Sequence, residues 1–142
     1  MPVPSHIDPA LIQAYRETEY RVLGERAVAL RLDVISPELA MLHQAHSAVC
    51  SAFLTAFNAG SRPTRAAVNR WQQGRLAWAL AERGLSYVDA IGAHATDGWP
   101  AEPSLWVPGM PLKVARQVGM QFEQNAIVWS DEDAIPRLIL LR

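Results

Sequence analysis

The chain has 142 residues, of which 50% are apolar and 19% are charged, so a packed core is expected and extensive disorder is excluded. We predict one domain over residues 1–142. The formal net charge of −1 excludes the basic footprint of a general nucleic-acid binder, so we expect no nucleic-acid partner. No apolar run approaches the ~18 residues of a membrane span, so we expect no membrane partner either.

The chain contains a single cysteine, Cys50, which excludes an internal disulfide framework and suits a reducing compartment. The amino-terminal segment lacks the basic stretch and the following apolar stretch of a secretory signal. We therefore predict a cytoplasmic protein. Cys50 itself is interpreted as a small buried apolar side chain.

Proline and glycine divide the chain into short helices and strands. Asp8-Pro9 and Ser36-Pro37 each combine an N-cap residue with proline at the first helical position, which is typical of a helix start. A two-residue turn at Gly24-Glu25 lies between two runs of alternating polarity and predicts a β-hairpin. The predicted elements, in chain order, are a helix over 9–18, hairpin strands over 19–23 and 26–32, a helix over 37–46, a strand over 50–58, a helix over 64–83, strands over 85–91 and 104–107, a helix over 111–122, and strands over 125–129 and 135–141.

The predicted order between residues 50 and 130 is strand, helix, strand, strand, helix, strand. This order is typical of the ferredoxin-like split βαββαβ unit, and right-handed crossovers then give an antiparallel sheet with both helices on one face. We predict an α+β fold with this core on one mixed or antiparallel sheet, preceded by a helix, a β-hairpin and a helix. A carboxy-terminal strand extends or covers the sheet. A different mixed sheet is the main alternative.

Polar side chains beside the apolar runs are predicted to converge on one end of the sheet. In this topology the strand over 50–58 ends there, the long helix begins there, and the strands over 104–107 and 125–129 begin there. Binding sites are usually built where loops meet the end of a sheet. We expect a site for a small polar ligand, a nucleotide or another metabolite, and its candidate residues are Thr55, Asn58, Asn69, Gln73, Glu102, Ser104, Gln124 and Asn125.

Two of these candidates lie on the core-facing side of the long helix. At 100° per residue, Asn69 and Gln73 share a face with Leu76 and Leu80, which should pack on the sheet. An unsatisfied buried amide costs about 1–3 kcal/mol, so both side chains need partners. Those partners are either the backbone of a loop or a ligand.

Glu102-Pro103-Ser104 is the group that most strongly indicates chemistry. Strand alternation places Glu102 and Ser104 on the same face. A carboxylate at the end of a sheet acts as a general base in an enzyme or as a hydrogen-bond acceptor for a ligand. The structural alternative is that Glu102 accepts loop N–H groups or pairs with Arg62 or Arg65. A hydrolase or transferase with Glu102 as general base is therefore our second functional hypothesis.

Three histidines are candidate ligands or acid–base groups. His43 and His46 stand at i, i+3, a spacing that suits a metal, but no third ligand is evident. We interpret them as a solvated helix end and predict no metal and no cofactor. His94 and Asp97 are expected near Glu102, where they either join its site or serve as turn residues.

The long helix carries a second apolar stripe, opposite its leucines. A helix with two apolar stripes is either sandwiched between layers or carries an interface. We expect this stripe to be buried under the first helix or the hairpin, or alternatively to form a homodimer contact. A protein-interaction module that uses Trp71 and Trp78 is our third functional hypothesis. The stripe comprises Ala67, Trp71, Gly74, Trp78 and Ala81.

Five groups of residues, spread over nearly the whole chain, form a recognisable set of motifs. They are AYRETEY at 14–20, SAFLTAFN at 51–58, Asn69 with Leu76 and Leu80, WPAEPSL at 99–105, and QNAIV at 124–128. In order and spacing they resemble the bacterial family DUF3293, whose function is unknown. The resemblance implies no activity and no catalytic residue, so the functional hypotheses depend on the residues of this chain.

Overall fold

The computed structural model describes residues 5–94 and 100–142, which form four α-helices and seven strands. The predicted α+β fold is confirmed. The helices are α1 (Pro9–Glu17), α2 (Pro37–Ala45), α3 (Ala66–Glu82) and α4 (Leu112–Gln121), with a short 3-10 turn at Ala59–Ser61. The strands are β1 (Glu19–Val22), β2 (Val28–Leu30), β3 (Ser51–Leu54), β4 (Val88–Ala93), β5 (Glu102–Pro108), β6 (Ala126–Ser130) and β7 (Arg137–Leu140).

The described strands form one antiparallel sheet in the order β2-β1-β4-β5-β3-β6-β7. The predicted hairpin pairs Tyr20 with Leu30 and Val22 with Val28. The carboxy-terminal strand extends the sheet, because β7 pairs with β6. β3, β4, β5 and β6 are neighbours at the centre of the sheet.

Helices α3 and α4 share one face of the sheet. Leu76 and Leu80 of α3 and Val118 of α4 are fully buried in one cluster with strand residues that include Leu54 and Val107. Burial of a large aliphatic side chain contributes roughly 1.5–3 kcal/mol, so this cluster is a main source of stability. The leucine stripe of α3 therefore packs on the sheet as predicted.

The opposite face of the sheet carries a second core. Leu39 of α2 packs there with Tyr20, Phe53, Trp106 and Val128. Tyr20 and Phe53 meet edge to face with ring centroids 5.2 Å apart. Because side chains alternate along each strand, the sheet contributes residues to both cores and is buried on both faces.

The first two helices begin where the sequence predicts. The Asp8 carboxylate accepts the Ala10 N–H at 2.8 Å, and the Ser36 hydroxyl accepts the Leu39 N–H at 3.1 Å. Each satisfies one of the N–H groups that a helix leaves free at its start. Substitution of such a cap by alanine costs about 1 kcal/mol.

The hairpin turn is longer than the predicted two residues. Val22 pairs with Val28, so residues 23–27 connect the strands. The Leu23 N–H donates to the carbonyl of Asp89 at 2.8 Å. Leu23 therefore continues beside β4 and cannot close a tight turn toward β2.

Strand β4 begins at Val88 rather than at residue 85, because the end of α3 uses the intervening backbone. The Leu85 N–H donates to the Leu80 carbonyl and the Gly84 N–H to the Ala81 carbonyl, both at 3.0 Å. Gly84 has a φ of +71°, as the left-handed position of this helix-ending motif requires. Residues 84 and 85 therefore belong to the helix cap.

Strand β3 is also shorter than predicted, ending at Leu54 instead of residue 58. Thr55 accepts the Phe57 N–H at 3.0 Å, which turns the chain away from the sheet. Asn58 then adopts a left-handed backbone with a φ of +48°. An extended strand through residue 58 is incompatible with this turn.

The expected burial of the tryptophan stripe is wrong. Trp71 is 63% exposed and Trp78 is 65% exposed. The α2 helix packs on the opposite face of the sheet from α3, and the hairpin extends the sheet at its edge. No described element reaches the outer side of α3 to cover these rings.

The interpretation of His43 as part of a solvated helix end is wrong. His43 is buried, its Nε2 atom lies 2.7 Å from Ser51 Oγ, and its ring stacks on Trp106. Burial lowers the pKa of His43 below its usual value. His46 is exposed but contacts the same indole edge to face.

Residues 5–94 and 100–142 contain neither a membrane-spanning helix nor a cluster of metal-binding side chains. None of their helices has the length and apolar character needed to cross a membrane. None of their His, Cys, Asp or Glu side chains form a group of three that could hold a metal ion. Cys50 is buried, and its thiol donates to the Met110 carbonyl at 3.3 Å.

Candidate functional site

A cavity of about 160 Å³ lies between α1 and the sheet, on the face that also carries Trp106. It sits at the end of the sheet where β3 finishes and where β5 and β6 begin. Its apolar lining includes Leu11, Ala14, Phe53, Val128 and Leu138. Its polar lining comprises Thr18, Thr55, Asn58, Ser61, His94, Glu102, Ser104, Gln124 and Asn125.

Six of the eight predicted ligand-binding candidates line this cavity. They are Thr55, Asn58, Glu102, Ser104, Gln124 and Asn125. Asn69 lines an adjoining recess of about 330 Å³, which shares Phe57, Asn58 and Glu102 with the cavity. Gln73 lines neither space. Contact of any of these residues with a ligand stays a prediction.

Asn58 connects the polar groups at the end of the sheet. Its Oδ1 accepts the Thr64 N–H at 3.0 Å and the Asn69 Nδ2 at 2.9 Å. Its own backbone N–H donates to Asn69 Oδ1 at 2.8 Å. Asparagine is among the few non-glycine residues that adopt a left-handed backbone readily, so this residue type suits both the φ of +48° and the bonds.

Glu102 is fixed at the start of β5. It pairs with Gly92 across the sheet and faces the cavity with Ser104. Asn58 Nδ2 donates to Glu102 Oε1 at 2.8 Å. Because Asn58 is itself held by Thr64 and Asn69, the carboxylate has a defined position.

The side-chain amides of Asn69 and Gln73, both on α3, hold the loop that follows β3 at the cavity. Asn69 bonds the backbone of Asn58 and Thr64, and Gln73 Oε1 accepts the Ala56 N–H at 2.9 Å. The structure thus places both side chains behind the loop, where they bond its backbone. Gln73 Nε2 is buried with no hydrogen-bond partner among the described residues.

A second polar network, which sequence reasoning missed as a unit, lies on the side of the cavity formed by α1. The hydroxyl groups of Tyr15 and Ser61 share a short hydrogen bond, and Asn125 Nδ2 donates to both, at 3.1 and 3.2 Å. The Tyr20 hydroxyl donates to the Tyr15 carbonyl at 2.6 Å, and burial raises its pKa well above the usual range. The motif at 14–20 marks Tyr15 and Tyr20, but no sequence signal joins them to Ser61.

His94 lines the cavity together with Glu102, which agrees with one of the two roles that the sequence leaves open for it. Its Nε2 atom lies 2.9 Å from Glu17 Oε2. A hydrogen bond from Gln13 and then the one with His94 lower the pKa of Glu17. Asp97, proposed beside His94, lies outside the described residues.

One comparison with known proteins gives a match. A family model described as "Protein of unknown function (DUF3293)" matches residues 54–127, which is more than half of the chain. The matched span includes Asn58, Asn69, Glu102 and Gln124. No curated protein and no solved structure matches the chain.

Proposed function

The chain belongs to the DUF3293 family, and we propose that it is a binding protein for a small molecule that occupies the cavity between α1 and the sheet. One observation carries the proposal. Polar side chains from separate segments of the chain surround a cavity with an apolar lining. Small-molecule sites have this composition, with an apolar surface and a few placed polar groups.

The size of the cavity limits the ligand. An apolar cavity of roughly 150 Å³ accommodates benzene, and this cavity measures about 160 Å³. We therefore propose a metabolite with a body the size of one ring. A nucleotide, the other ligand that the sequence suggests, has a base, a sugar and at least one phosphate, so most of it would extend out of a cavity of this volume.

The candidate residues divide into two roles in this proposal. Glu102, Asn125 and Gln124 orient the polar group of the ligand, and the hydroxyl groups of Thr55 and Ser104 shape the wall. Asn58, Asn69 and Gln73 act as positioning residues, because their hydrogen bonds hold the loop and the carboxylate in place.

A fragment screen tests the proposal. Ligand-observed NMR with ring-sized fragments should give hits that the Ala14→Phe variant loses, because the new ring fills the cavity from α1. Ala10→Phe is the matched control, since Ala10 lies on the same helix and is exposed. Absence of any saturable hit, or equal binding by Ala14→Phe, would contradict the proposal.

A second candidate function is catalysis with Glu102 as general base, acting as a hydrolase or transferase. The observation that favours it is a carboxylate held by Asn58 at the wall of a cavity that His94 also lines. Glu102→Gln should then abolish turnover of a bound substrate and retain its binding. Retained turnover in this variant would exclude the assignment.

A third candidate is weak self-association through the exposed side of α3. Trp71 and Trp78 alternate with Ala67, Gly74 and Ala81 at spacings of four and three residues, the pattern of a helix-pairing seam. An added Cβ at Gly74 meets nothing within 4 Å, so the space beside it is open. In an antiparallel pair with a second copy, each tryptophan of one copy lies opposite a small residue of the other.

The exposed area indicates how strong this contact is. A buried tryptophan covers roughly 150–250 Å², so two rings about two-thirds exposed offer about 200–300 Å², below the ~800 Å² per partner of a standard interface. We expect a dimer only at high concentration. Light scattering should show that Trp71→Glu abolishes it and that Met41→Glu, at an exposed site on α2, does not.

We also infer that the central part of the fold is a ferredoxin-like split unit. The antiparallel order β4-β5-β3-β6 supports this, as does the common core of α3 and α4 on one face. In this topology the loop after the first strand and the start of the third strand meet at one end of the sheet. That is the end that carries the cavity.

We propose a cytoplasmic location, supported by the single cysteine and its environment. Cys50 is a buried free thiol. Burial raises the pKa of the Cys50 thiol, which keeps it protonated and suits a reducing compartment.

A further inference from the structure

The charged groups around the cavity are unevenly distributed. Among the described residues that line it there is no lysine and no arginine, and Glu102 is the one carboxylate. The one imidazole in this lining, His94, already lies 2.9 Å from Glu17 Oε2. An anionic ligand would bring a second negative charge beside Glu102, and no lysine or arginine of the described lining would offset it. The charge distribution therefore favours a ligand with a positive charge.

Several hydrogen-bond donors of the cavity wall are already used within the protein, although Tyr15 and Ser61, which share one hydrogen bond, use only one of their two hydroxyl hydrogens in it. The Thr55 hydroxyl donates to the Pro103 carbonyl at 2.7 Å, and the Ser104 hydroxyl donates to the Glu102 carbonyl at 3.1 Å. The side-chain amide of Gln124 donates to the Phe57 and Phe122 carbonyls, both at 3.3 Å. The amide of Asn125 donates to the two hydroxyl oxygens described above.

Acceptor capacity remains on the same wall. A carboxylate has about four lone-pair positions, and Asn58 Nδ2 occupies one of those of Glu102 at 2.8 Å. The side-chain carbonyl oxygens of Gln124 and Asn125 accept no hydrogen bond within the part of the chain that the structure describes. A ligand that donates hydrogen bonds fits this wall better than one that accepts them.

Aromatic rings complete the lining. Tyr15, Tyr20, Phe53 and Phe57 all border the cavity. The face of an aromatic ring carries negative potential and attracts organic cations, with a gain of about 0.5–2 kcal/mol that is largest in a desolvated site. Aromatic rings combined with a carboxylate are the chemistry by which proteins hold an ammonium group.

From these observations we infer that the cavity binds a small organic ammonium ion, a protonated amine on an apolar body of one ring, with Glu102 as its counter-ion. This inference rests on the proposed binding function and names its ligand class. The apolar body lies against Phe53, Val128 and Leu138. The N–H groups donate to Glu102 and to the carbonyl oxygens of Gln124 and Asn125.

Three probes of nearly the same shape test the charge directly. Benzylamine, benzyl alcohol and benzoate present a cation, a neutral group and an anion on the same ring at neutral pH. Chemical-shift titration of the full chain should show benzylamine binding about tenfold more tightly than benzyl alcohol, and no saturable binding of benzoate. This comparison uses the unmodified protein and does not depend on the folding of any variant.

A matched pair of variants then tests the role of Glu102. Glu102→Gln keeps an oxygen that accepts from Asn58 but removes the charge, so the affinity for benzylamine should fall about tenfold and that for benzyl alcohol should not change. Glu132→Gln, which neutralises an exposed carboxylate that does not line the cavity, should leave both affinities unchanged.

The outcomes separate the two proposals. If none of the probes binds at millimolar concentration, neither the ligand class nor the binding function stands. If benzyl alcohol or benzoate binds as tightly as benzylamine, the ammonium assignment is overturned while the binding function survives. An equal loss of both affinities in Glu102→Gln assigns that residue a structural role and also overturns the assignment.

Discussion

Two groups of polar residues lie on the same face of the sheet, and they differ in the space around them. At one end, Asn58, Glu102 and Asn125 surround a cavity of about 160 Å³. In the other group, His43 and Ser51 bond each other at 2.7 Å against Trp106, and none of the three lines that cavity. Both groups are built from side chains that water would otherwise solvate.

The difference shows that polar composition alone does not make a site. His43 and Ser51 satisfy each other and are closely packed, so they contribute to the core. At the cavity, hydrogen bonds between polar residues fix the loop at Asn58 and the Glu102 carboxylate around the cavity, and the cavity itself stays open. What distinguishes a candidate site is therefore residual acceptor capacity beside an open volume.

Trp106→Ala should have the largest effect on stability. The indole is fully buried, and truncation of a buried tryptophan costs about 3–5 kcal/mol in the free energy of unfolding. Urea denaturation measures the loss. Trp78→Ala is the matched control, since that ring is 65% exposed and its removal should change stability by less than about 0.5 kcal/mol.

Trp106→Phe refines the same measurement. The indole N–H of Trp106 is buried with no partner among the described residues. Phenylalanine removes this unsatisfied donor while it keeps an aromatic ring against His43, so the loss should be well below that of alanine. A loss as large as that of Trp106→Ala would show that the N–H has a partner in solution.

Asn58→Ala should come next in size, because it removes three side-chain bonds and leaves alanine in a left-handed backbone. We expect a loss of about 2–4 kcal/mol in the free energy of unfolding. Asn58→Gly removes the same bonds without the backbone cost, so it should be about 1 kcal/mol more stable than Asn58→Ala. Equal stabilities would mean that the loop does not keep this conformation.

The sequence predicts the location of this loop better than its shape. Polarity alternation and turn signals are local properties of the sequence, so they identify the strands and helices directly. The order of these elements then predicts that Asn58, Glu102 and Gln124 lie at one end of the sheet, where all three line the cavity. The left-handed turn at Asn58 ends β3 four residues early. It depends on bonds to Thr64 and Asn69, which no local pattern reveals.

Whether the rings of Trp71 and His43 are buried or exposed is harder to predict from the sequence. Periodicity identifies the two apolar stripes of α3 but not the layer that covers the second one. It predicts Trp71 under the first helix or the hairpin, or in a homodimer contact, and the ring is exposed in the structure. The sequence predicts a solvated His43, whereas its burial depends on Trp106, 63 positions away in the chain. Long-range packing decides both cases.

Two serine substitutions compare the polar groups directly. Ser51→Ala leaves the buried His43 without its partner, so it should cost about 1–3 kcal/mol in unfolding free energy. Ser104→Ala removes a hydroxyl that lines the cavity and donates to a main-chain carbonyl, so no side chain loses its partner and the cost should be below about 1 kcal/mol. Thermal or urea denaturation of both variants measures the difference, and equal costs would contradict the contrast between the two groups.

The pH dependence of stability should carry the smallest signal, and it comes from the closed group. Burial lowers the pKa of His43 in the folded state, whereas in the unfolded chain a histidine titrates near 6.5. Below about pH 6.5 the unfolded state therefore binds more protons, and the free energy of unfolding falls as pH decreases through the lowered folded pKa. His43→Gln, which keeps a hydrogen-bonding group near Ser51 but cannot titrate, should show a shallower slope of unfolding free energy against pH between about pH 7.5 and 5.5, measured by urea titrations.

Gln44→Ala, an exposed change on the same helix, is the control and should keep the wild-type slope. An unchanged slope in His43→Gln would mean that the imidazole is solvated in the native state.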